Sequence, residues 1–234
     1  MNRPTKYLIN AFLVIAISFI FAATTFAQST TGTVSMSATV SKFVEINSGG
    51  PVTLTGNSGG GVTTNGTLNS PLAVVINLGE VGPSNANSFV TATVPLRLRS
   101  NAAYVMSALA AVTSSGSSTN RIIEADIGFG LGAVSRTGVG VAAGTDTNST
   151  AGDPTLPANG AVNAASGRFE FTAVRSNLGA FTSSTTALSG SFIMNAVPRS
   201  NTNGLSVPAM FAIKPQFYEV GTTTATVTFT VTAP

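Results

Sequence analysis

Residues 222–232 read TTTATVTFTVT, so apolar and hydroxyl side chains alternate along almost the whole C-terminal stretch. Successive side chains of a β-strand point to opposite faces of the sheet. The threonines would share one face, and the other face would carry Ala225, Val227, Phe229 and Val231. The pattern predicts a half-buried β-strand.

A second alternating stretch, TVSMSATV, occupies residues 33–40. Serine and threonine alternate with an apolar set that consists of Val34, Met36, Ala38 and Val40. The same reasoning predicts that residues 28–41 are an N-terminal extension or the first strand of the domain. Such a strand can pair within its own domain or with another chain, and the pattern alone leaves both alternatives open.

The first 27 residues have the features of a secretory signal peptide. Arg3 and Lys6 precede an apolar run over residues 8–23, and the triplet Thr25-Phe26-Ala27, with a small residue at each end, follows it. We expect cleavage after Ala27, export of the remaining chain and no membrane insertion afterwards. The alternative is an uncleaved membrane anchor, but the run contains polar residues and is shorter than the ~20 apolar residues that a spanning helix needs.

The charge balance argues against nucleic acid as a partner. The chain has 11 basic and 8 acidic residues, and loss of Arg3 and Lys6 with the leader leaves 9 against 8. A nearly neutral protein does not attract nucleic acid or acidic lipid. Because only 8% of the residues are charged, serine, threonine, asparagine and glycine must cover most of the surface.

The chain contains no cysteine and no histidine. Their absence excludes disulfides, thiolate nucleophiles, triads that use either residue, and the usual zinc sites. Two carboxylates suffice for glycosidase chemistry, and Glu124 and Asp126 would share one strand face. The sequence indicates no further catalytic group to accompany that pair, so we interpret it as a polar outer face. We expect neither enzymatic activity nor a cofactor.

Short apolar or alternating runs recur along the chain and predict about ten to twelve strands, with no helix after the leader. These runs include residues 43–47, 72–78, 89–99 and 121–129. Residues 102–112 are ambiguous, because alanine, methionine and leucine favour a helix while the apolar residues also keep a period of two, and we interpret them as a strand because the rest of the chain is rich in strands. A mature chain of roughly 200 residues buries enough surface to fold without disulfides. We therefore predict a single β-sandwich domain over residues 42–234 with a long loop at about 130–167, two small sandwiches being the alternative.

Several of these segments carry more detailed expectations. Pro95 lacks a backbone donor, which indicates an edge strand or a bulge in the 89–99 run. Arg97 and Arg99 in the same run are interpreted as a solvated face. Residues 72–78 have the pattern of a strand covered on both faces. Residues 47–70, rich in glycine and asparagine, predict turns and flexible loops.

The long loop contains a candidate calcium site. Asp146, Asn148 and Asp153 place oxygen ligands at spacings that a calcium ion can use. The segment lacks the glycine and the bidentate glutamate of an EF-hand loop. A solvated loop without a metal is therefore the preferred interpretation.

Sugar binding is another alternative. Tyr104, Phe217 and Tyr218 are able to stack on a saccharide, although the chain lacks tryptophan and aromatic residues on strands usually belong to the core. Together with the calcium pattern, this leaves open a self-contained adhesion module that binds a glycan or calcium.

Both ends of the chain resemble subunits of chaperone-usher pili, particularly the alternate or α class. In that family an alternating N-terminal extension runs directly into the first strand, as GTVSMSATVSKFVEI does over residues 32–46. The family also places a glycine before an alternating final strand, and Gly221 followed by residues 222–232 is similar.

The resemblance implies an immunoglobulin-like β-sandwich that lacks one strand and is completed by the extension of the next subunit. The four apolar residues of the 33–40 stretch would insert, and the four of the final strand would line the groove or bind a chaperone. It further implies homo-oligomers or other pilus subunits as partners, with a periplasmic chaperone and an usher. The expected function is that of an exported structural subunit of a fimbria-like or other surface assembly.

Overall fold

A computed structural model describes residues 35–56, 59–83, 88–195 and 203–234. Strands dominate these residues, and their helices are short 3-10 turns, which confirms the predicted all-β class. Ser41–Pro234 forms one compact unit, of which the preceding residues are not part. Among the described residues, no helix is long and apolar enough to cross a bilayer.

The strands of the described residues are β1 (Val44–Ser48), β2 (Thr53–Thr55), β3 (Gly61–Thr64), β4 (Val75–Asn77), β5 (Val90–Ser100), β6 (Tyr104–Ser114), β7 (Ile127–Leu131), β8 (Ser135–Thr137), β9 (Asp146–Asn148), β10 (Gly160–Val162), β11 (Phe169–Phe171), β12 (Thr185–Gly190), β13 (Gly204–Ile213) and β14 (Thr223–Thr232). The 3-10 helices are Glu124–Asp126, Pro157–Asn159 and Leu178–Phe181.

Two antiparallel sheets carry the core. In the first sheet, β5 and β13 are central neighbours. β1 and β2 follow one another along the outer side of β5, and β7 and β8 do the same along β13. The second sheet has the order β14-β6-β12-β9, and β3-β4 and β10-β11 form two small separate sheets.

Aromatic rings join the two main sheets. Phe129 of β7 is fully buried, and its ring lies 4.9 Å from the ring of Phe181, 5.3 Å from that of Phe211 and 6.1 Å from that of Phe229. Phe211 belongs to the first sheet and Phe229 to the second. Such ring pairs stabilise a core beyond the area that they bury.

Pro95 lies in the central strand β5, so the edge-strand expectation is wrong. It stands opposite Pro208 of β13. Gly49 donates its N–H to Pro95 O at 2.7 Å, and Gly132 donates to Pro208 O at 2.9 Å. Gly49 lies in the gap between β1 and β2, and Gly132 lies in the gap between β7 and β8. The edge of each proline that lacks an N–H therefore faces a gap between two strands, where no ladder hydrogen bond is lost.

Arg99 is buried, contrary to the expected solvated face. Its Nε donates to Asn203 O at 2.8 Å and its Nη2 to Asn69 Oδ1 at 2.6 Å, while Nη1 lies 3.5 Å from Glu45 Oε2. The guanidinium therefore ties β1 to two loops that are distant in sequence. A buried charge of this kind is tolerated because it is both paired and hydrogen-bonded.

The predicted strand over residues 121–129 begins only at Ile127, because Glu124–Asp126 forms a 3-10 helix. Asp126 is buried rather than facing outward. It accepts the N–H of Ile123 at 2.9 Å and forms an ion pair with Arg168. The polar outer face that was expected from Glu124 and Asp126 is therefore absent.

The segments that looked like loops contain short strands. β2 and β3 fall within residues 47–70, and β8, β9 and β10 fall within residues 130–167. In residues 72–78 only β4 is a strand, and its side chains alternate between half-buried and exposed. The expectation that this run is covered on both faces is wrong, since one face remains in water.

Candidate functional site

The C-terminal strand β14 lies at an edge of the second sheet. Its 10 residues pair with β6 along their whole length, from Thr223 opposite Ser114 to Thr232 opposite Val105. In the part of the chain that the structure describes, no strand pairs with the other side of β14. A long open edge presents unpaired backbone groups to any further strand.

The β14-β6 ladder determines which backbone groups point outward. Ser115 donates its N–H to Thr222 O at 2.9 Å, so these two residues form a hydrogen-bonded pair just before β14. Hydrogen-bonded and non-hydrogen-bonded pairs alternate along an antiparallel ladder. The residues of β14 whose N–H and C=O groups point to the open edge are therefore Thr223, Ala225, Val227, Phe229 and Val231.

The same alternation governs the side chains of β14, as the sequence predicts. Val227, Phe229 and Val231 are half-buried and pack against the core, and the threonines between them are exposed. Ala225 is exposed. The open edge thus combines unpaired backbone groups with an apolar row that is incompletely covered.

Residues 35–40, the described part of the other alternating stretch, have no regular secondary structure. Met36 is 92% exposed and Val40 is 84% exposed, and Ala38 is exposed as well. Val34 lies outside the described residues. Burial of a methionine or valine side chain is favourable by about 1.5–3 kcal/mol, so this segment has apolar area to gain from a partner.

The start of the compact unit is held in a defined place. Asn101 Oδ1 accepts the Phe43 N–H at 2.7 Å, and Asn101 Nδ2 donates to Ser41 O at 3.0 Å. The Lys42 ammonium donates to the carbonyl of Pro234. The chain therefore enters the domain beside the carboxyl end of β14.

The carboxylate of Asp146 is engaged by protein groups. Arg136 donates to Asp146 Oδ2 from Nε and to Asp146 Oδ1 from Nη2, both at 2.7 Å, and the Tyr104 hydroxyl donates to Oδ1 at 2.8 Å. Burial, followed by the bond to Asp146, raises the pKa of Tyr104. This arrangement joins three strands and gives Asp146 a structural role.

The other two candidate calcium ligands stabilise turns. Asn148 Oδ1 accepts the N–H of Thr150 at 2.9 Å and its hydroxyl at 2.8 Å. Asp153 Oδ1 accepts the N–H of Thr155 at 2.8 Å and its hydroxyl at 2.7 Å. These are turns of the kind that Asn and Asp form with the backbone two residues on. The described residues contain no group of three or more Asp, Glu, His or Cys suited to a metal.

The aromatic residues considered for sugar stacking are separated. Tyr104 is fully buried, whereas Phe217 is 84% exposed beside the half-buried Tyr218. Phe217 and Tyr218 line an open cleft of about 420 Å³. Arg168 and Lys214 also line it, and the sequence offered no signal for them because they lie on segments far apart in the chain.

Comparison with known proteins gives no match. No protein-family model matches the chain, and no curated protein or solved structure matches it either.

Proposed function

We propose that the protein is an exported structural subunit of a fimbria-like surface assembly, in which subunits join by β-strand exchange. The observation that carries the proposal is the open edge of β14, where the outward backbone groups belong to incompletely covered apolar residues. A strand with an apolar side chain at every second position can hydrogen-bond to the outward backbone groups of β14 and also cover its apolar row.

In this proposal the two main sheets are an immunoglobulin-like sandwich that lacks the strand next to β14. A periplasmic chaperone covers the open edge before assembly, and an outer-membrane usher directs the exchange. The resemblance of the two chain ends to chaperone-usher pilus subunits supports the missing strand, the chaperone and the usher.

The donated strand is the 33–40 stretch of a second copy. Its apolar residues alternate with polar ones, and Met36 and Val40 are almost fully exposed in the single chain. Each large apolar side chain buried in the groove contributes about 1.5–3 kcal/mol, from which the entropy of ordering the segment is subtracted. The alternation also selects the register, since a slip of one residue turns every apolar side chain outward.

Strand direction favours exchange between chains. Because Lys42 contacts Pro234, the 33–40 stretch of the same chain would run parallel to β14 if it lay on that edge. The stretch of another chain is free to run antiparallel to β14, and antiparallel pairing is slightly more stable per residue.

Disulfide trapping tests the proposal cleanly because the chain has no cysteine of its own. Ser37→Cys, on the hydroxyl face of the stretch, is purified and mixed in turn with Thr226→Cys, Thr228→Cys and Thr230→Cys under mild oxidation. We expect a disulfide-linked heterodimer with at least one β14 variant. The matched control is Thr147→Cys, which is also exposed but lies on the short edge strand β9 at the other side of the same sheet.

Two results would contradict the proposal. The first is cross-linking to every β14 variant that is no greater than cross-linking to Thr147→Cys. The second concerns the double variant Ser37→Cys/Thr228→Cys, studied at high dilution. If it closes quantitatively within one chain, the stretch pairs in its own domain and no strand is donated.

A further inference from the structure

None of the residues that line the cleft beside Phe217 belongs to β14, and the cleft plays no part in strand exchange as proposed. One wall is residues 214–218, which connect β13 to β14, and the other is the turn between β10 and β11. The lining residues are Pro83, Asn120, Val162, Ser166, Gly167, Arg168, Phe169, Lys214, Pro215, Gln216, Phe217 and Tyr218. Two of these are basic and none is acidic.

A hydrogen-bond network holds the two walls together. Gln216 Oε1 accepts the Phe169 N–H at 2.6 Å, and Gln216 Nε2 donates to the Tyr218 hydroxyl oxygen at 3.0 Å. The Tyr218 hydroxyl donates to Lys214 O at 3.2 Å. Burial, followed by the charge of Asp126, raises the pKa of Tyr218 to about 12, so the hydroxyl stays protonated as a donor. The cleft is therefore preformed, as ligand sites usually are.

The charge of the cleft comes from Lys214 and Arg168. Lys214 takes part in none of the ion pairs found among the described residues, and its ammonium lies 5.0 Å from the centre of the Phe89 ring. Arg168 pairs with Asp126, lies 5.4 Å from the centre of the Tyr218 ring and keeps 23% of its side chain exposed. The aromatic rings orient both cations, and the lining supplies no carboxylate to neutralise Lys214.

Two apolar side chains of the cleft, beside these cations, are exposed to water. Phe217 is 84% exposed and Val162 is 65% exposed, so neither contributes much to the core. An exposed phenyl ring beside hydrogen-bond donors offers a stacking surface to the apolar face of a sugar ring. The combination of ring, donors and unneutralised positive charge suits a ligand that is partly apolar and carries a negative charge.

We propose that this cleft binds an acidic saccharide, one whose sugar rings carry carboxylates. The carboxylate lies at Lys214 and Arg168, and the sugar ring stacks on Phe217. This activity is independent of strand exchange and would give each subunit of an assembly its own adhesive site.

The test is calorimetric titration of the full exported chain with a trimer of galacturonic acid and, separately, with the neutral galactose trimer. We expect saturable binding of the acidic trimer and at least tenfold weaker binding of the neutral one. Lys214→Gln and Phe217→Ala should each weaken binding of the acidic trimer about tenfold, the change in affinity that 1.4 kcal/mol represents. Both substitutions alter side chains outside the core, and thermal unfolding checks that the variants are folded.

Val174→Ala and Lys42→Gln serve as matched controls. Val174 is as exposed as Phe217 and Lys42 carries the same charge as Lys214, but neither lines the cleft. Unchanged binding in both controls supports the assignment. The proposal is overturned if the acidic trimer does not bind, if the neutral trimer binds equally well, if acetate at the same carboxylate concentration displaces it, or if neither cleft variant weakens binding.

Discussion

Arg136 of β8 and Asp146 of β9 form a two-bond ion pair that fastens the first main sheet to the second. Arg136 Nη1 also donates to Ala142 O at 3.0 Å and to Phe192 O at 2.9 Å, and Nη2 donates to Ser191 O at 3.1 Å. All the N–H groups of the guanidinium are thereby used. The bond to Asp146 raises the pKa of Arg136, so the guanidinium stays charged.

We expect Asp146→Asn to lower the free energy of unfolding by about 3 kcal/mol, because it leaves Arg136 buried without a countercharge. The measurement is urea denaturation of the monomer at neutral pH. Asp153→Asn is the control, since its oxygen accepts only turn bonds that an asparagine oxygen also accepts. Equal effects of the two substitutions would show that the ion pair does not fasten the sheets.

Gly130 of β7 packs against the backbone of Gly152, and a Cβ at position 130 would overlap the Gly152 carbonyl oxygen. Gly130→Ala should therefore lower the free energy of unfolding by about 3 kcal/mol, the upper part of the range for overpacking. Gly61→Ala is the matched control, because Gly61 also lies in a strand and a Cβ there meets no atom within 4 Å. A melting temperature that falls equally in both variants would contradict this account.

The long strands β5 and β14 were predictable because each alternates over 10 or 11 residues, and the local sequence suffices to show a period of two over that length. β6 keeps the same period, but its alanine, methionine and leucine residues also favour a helix, so only the strand-rich context indicated a strand there. Short strands such as β2 and β9 have 3 residues each and form where a neighbour presents a free edge. No local pattern marks them.

The buried charges were missed for a related reason. Arg99 alternates with apolar residues like any surface arginine, and its burial is stabilised by contacts with Glu45, Asn69 and Asn203, which are all far away in the chain. Asp126 is likewise buried because Arg168 reaches it. The apolar row of β14 was readable from the sequence, but the open edge beside it depends on strand order, which the sequence pattern does not contain.

The burial of Asp126 predicts a pH dependence. Burial raises the pKa of Asp126, although the Ile123 N–H and Arg168 oppose the shift. The folded state therefore holds this proton more tightly than the unfolded state. The group stabilises the fold below its usual pKa, and that contribution is lost as the pH rises through its folded pKa.

Comparison with Asp126→Asn isolates this contribution. We expect the free energy of unfolding of the wild type, minus that of Asp126→Asn, to increase as the pH falls from about 7 to about 3. Chemical denaturation at several pH values measures the difference, and the effects of the other carboxylates cancel. A difference that decreases toward acid would mean that the Arg168 pair outweighs burial and lowers the pKa instead.

A single charge introduced into the 33–40 stretch tests whether this stretch is the donated strand. Met36→Asp should abolish assembly of purified subunits, because insertion would bury a carboxylate without a partner. Ser37→Asp is the matched control, since Ser37 is also exposed but lies on the opposite face of the stretch. Size-exclusion chromatography of both variants measures the loss. If the two substitutions reduce assembly equally, the alternation of this stretch does not determine its insertion.

The proposed acceptor edge allows a sharper comparison between neighbouring residues. Ala225 and Thr226 of β14 are both exposed, but Ala225 directs its N–H to the open edge and Thr226 directs its N–H to β6. Ala225→Pro should therefore leave the melting temperature of the monomer nearly unchanged and block assembly, because an incoming strand loses a donor and meets the proline ring. Thr226→Pro should instead break the ladder with β6 and cost the monomer about 3 kcal/mol. Assembly that proceeds normally with Ala225→Pro would show that subunits join through some surface other than this edge.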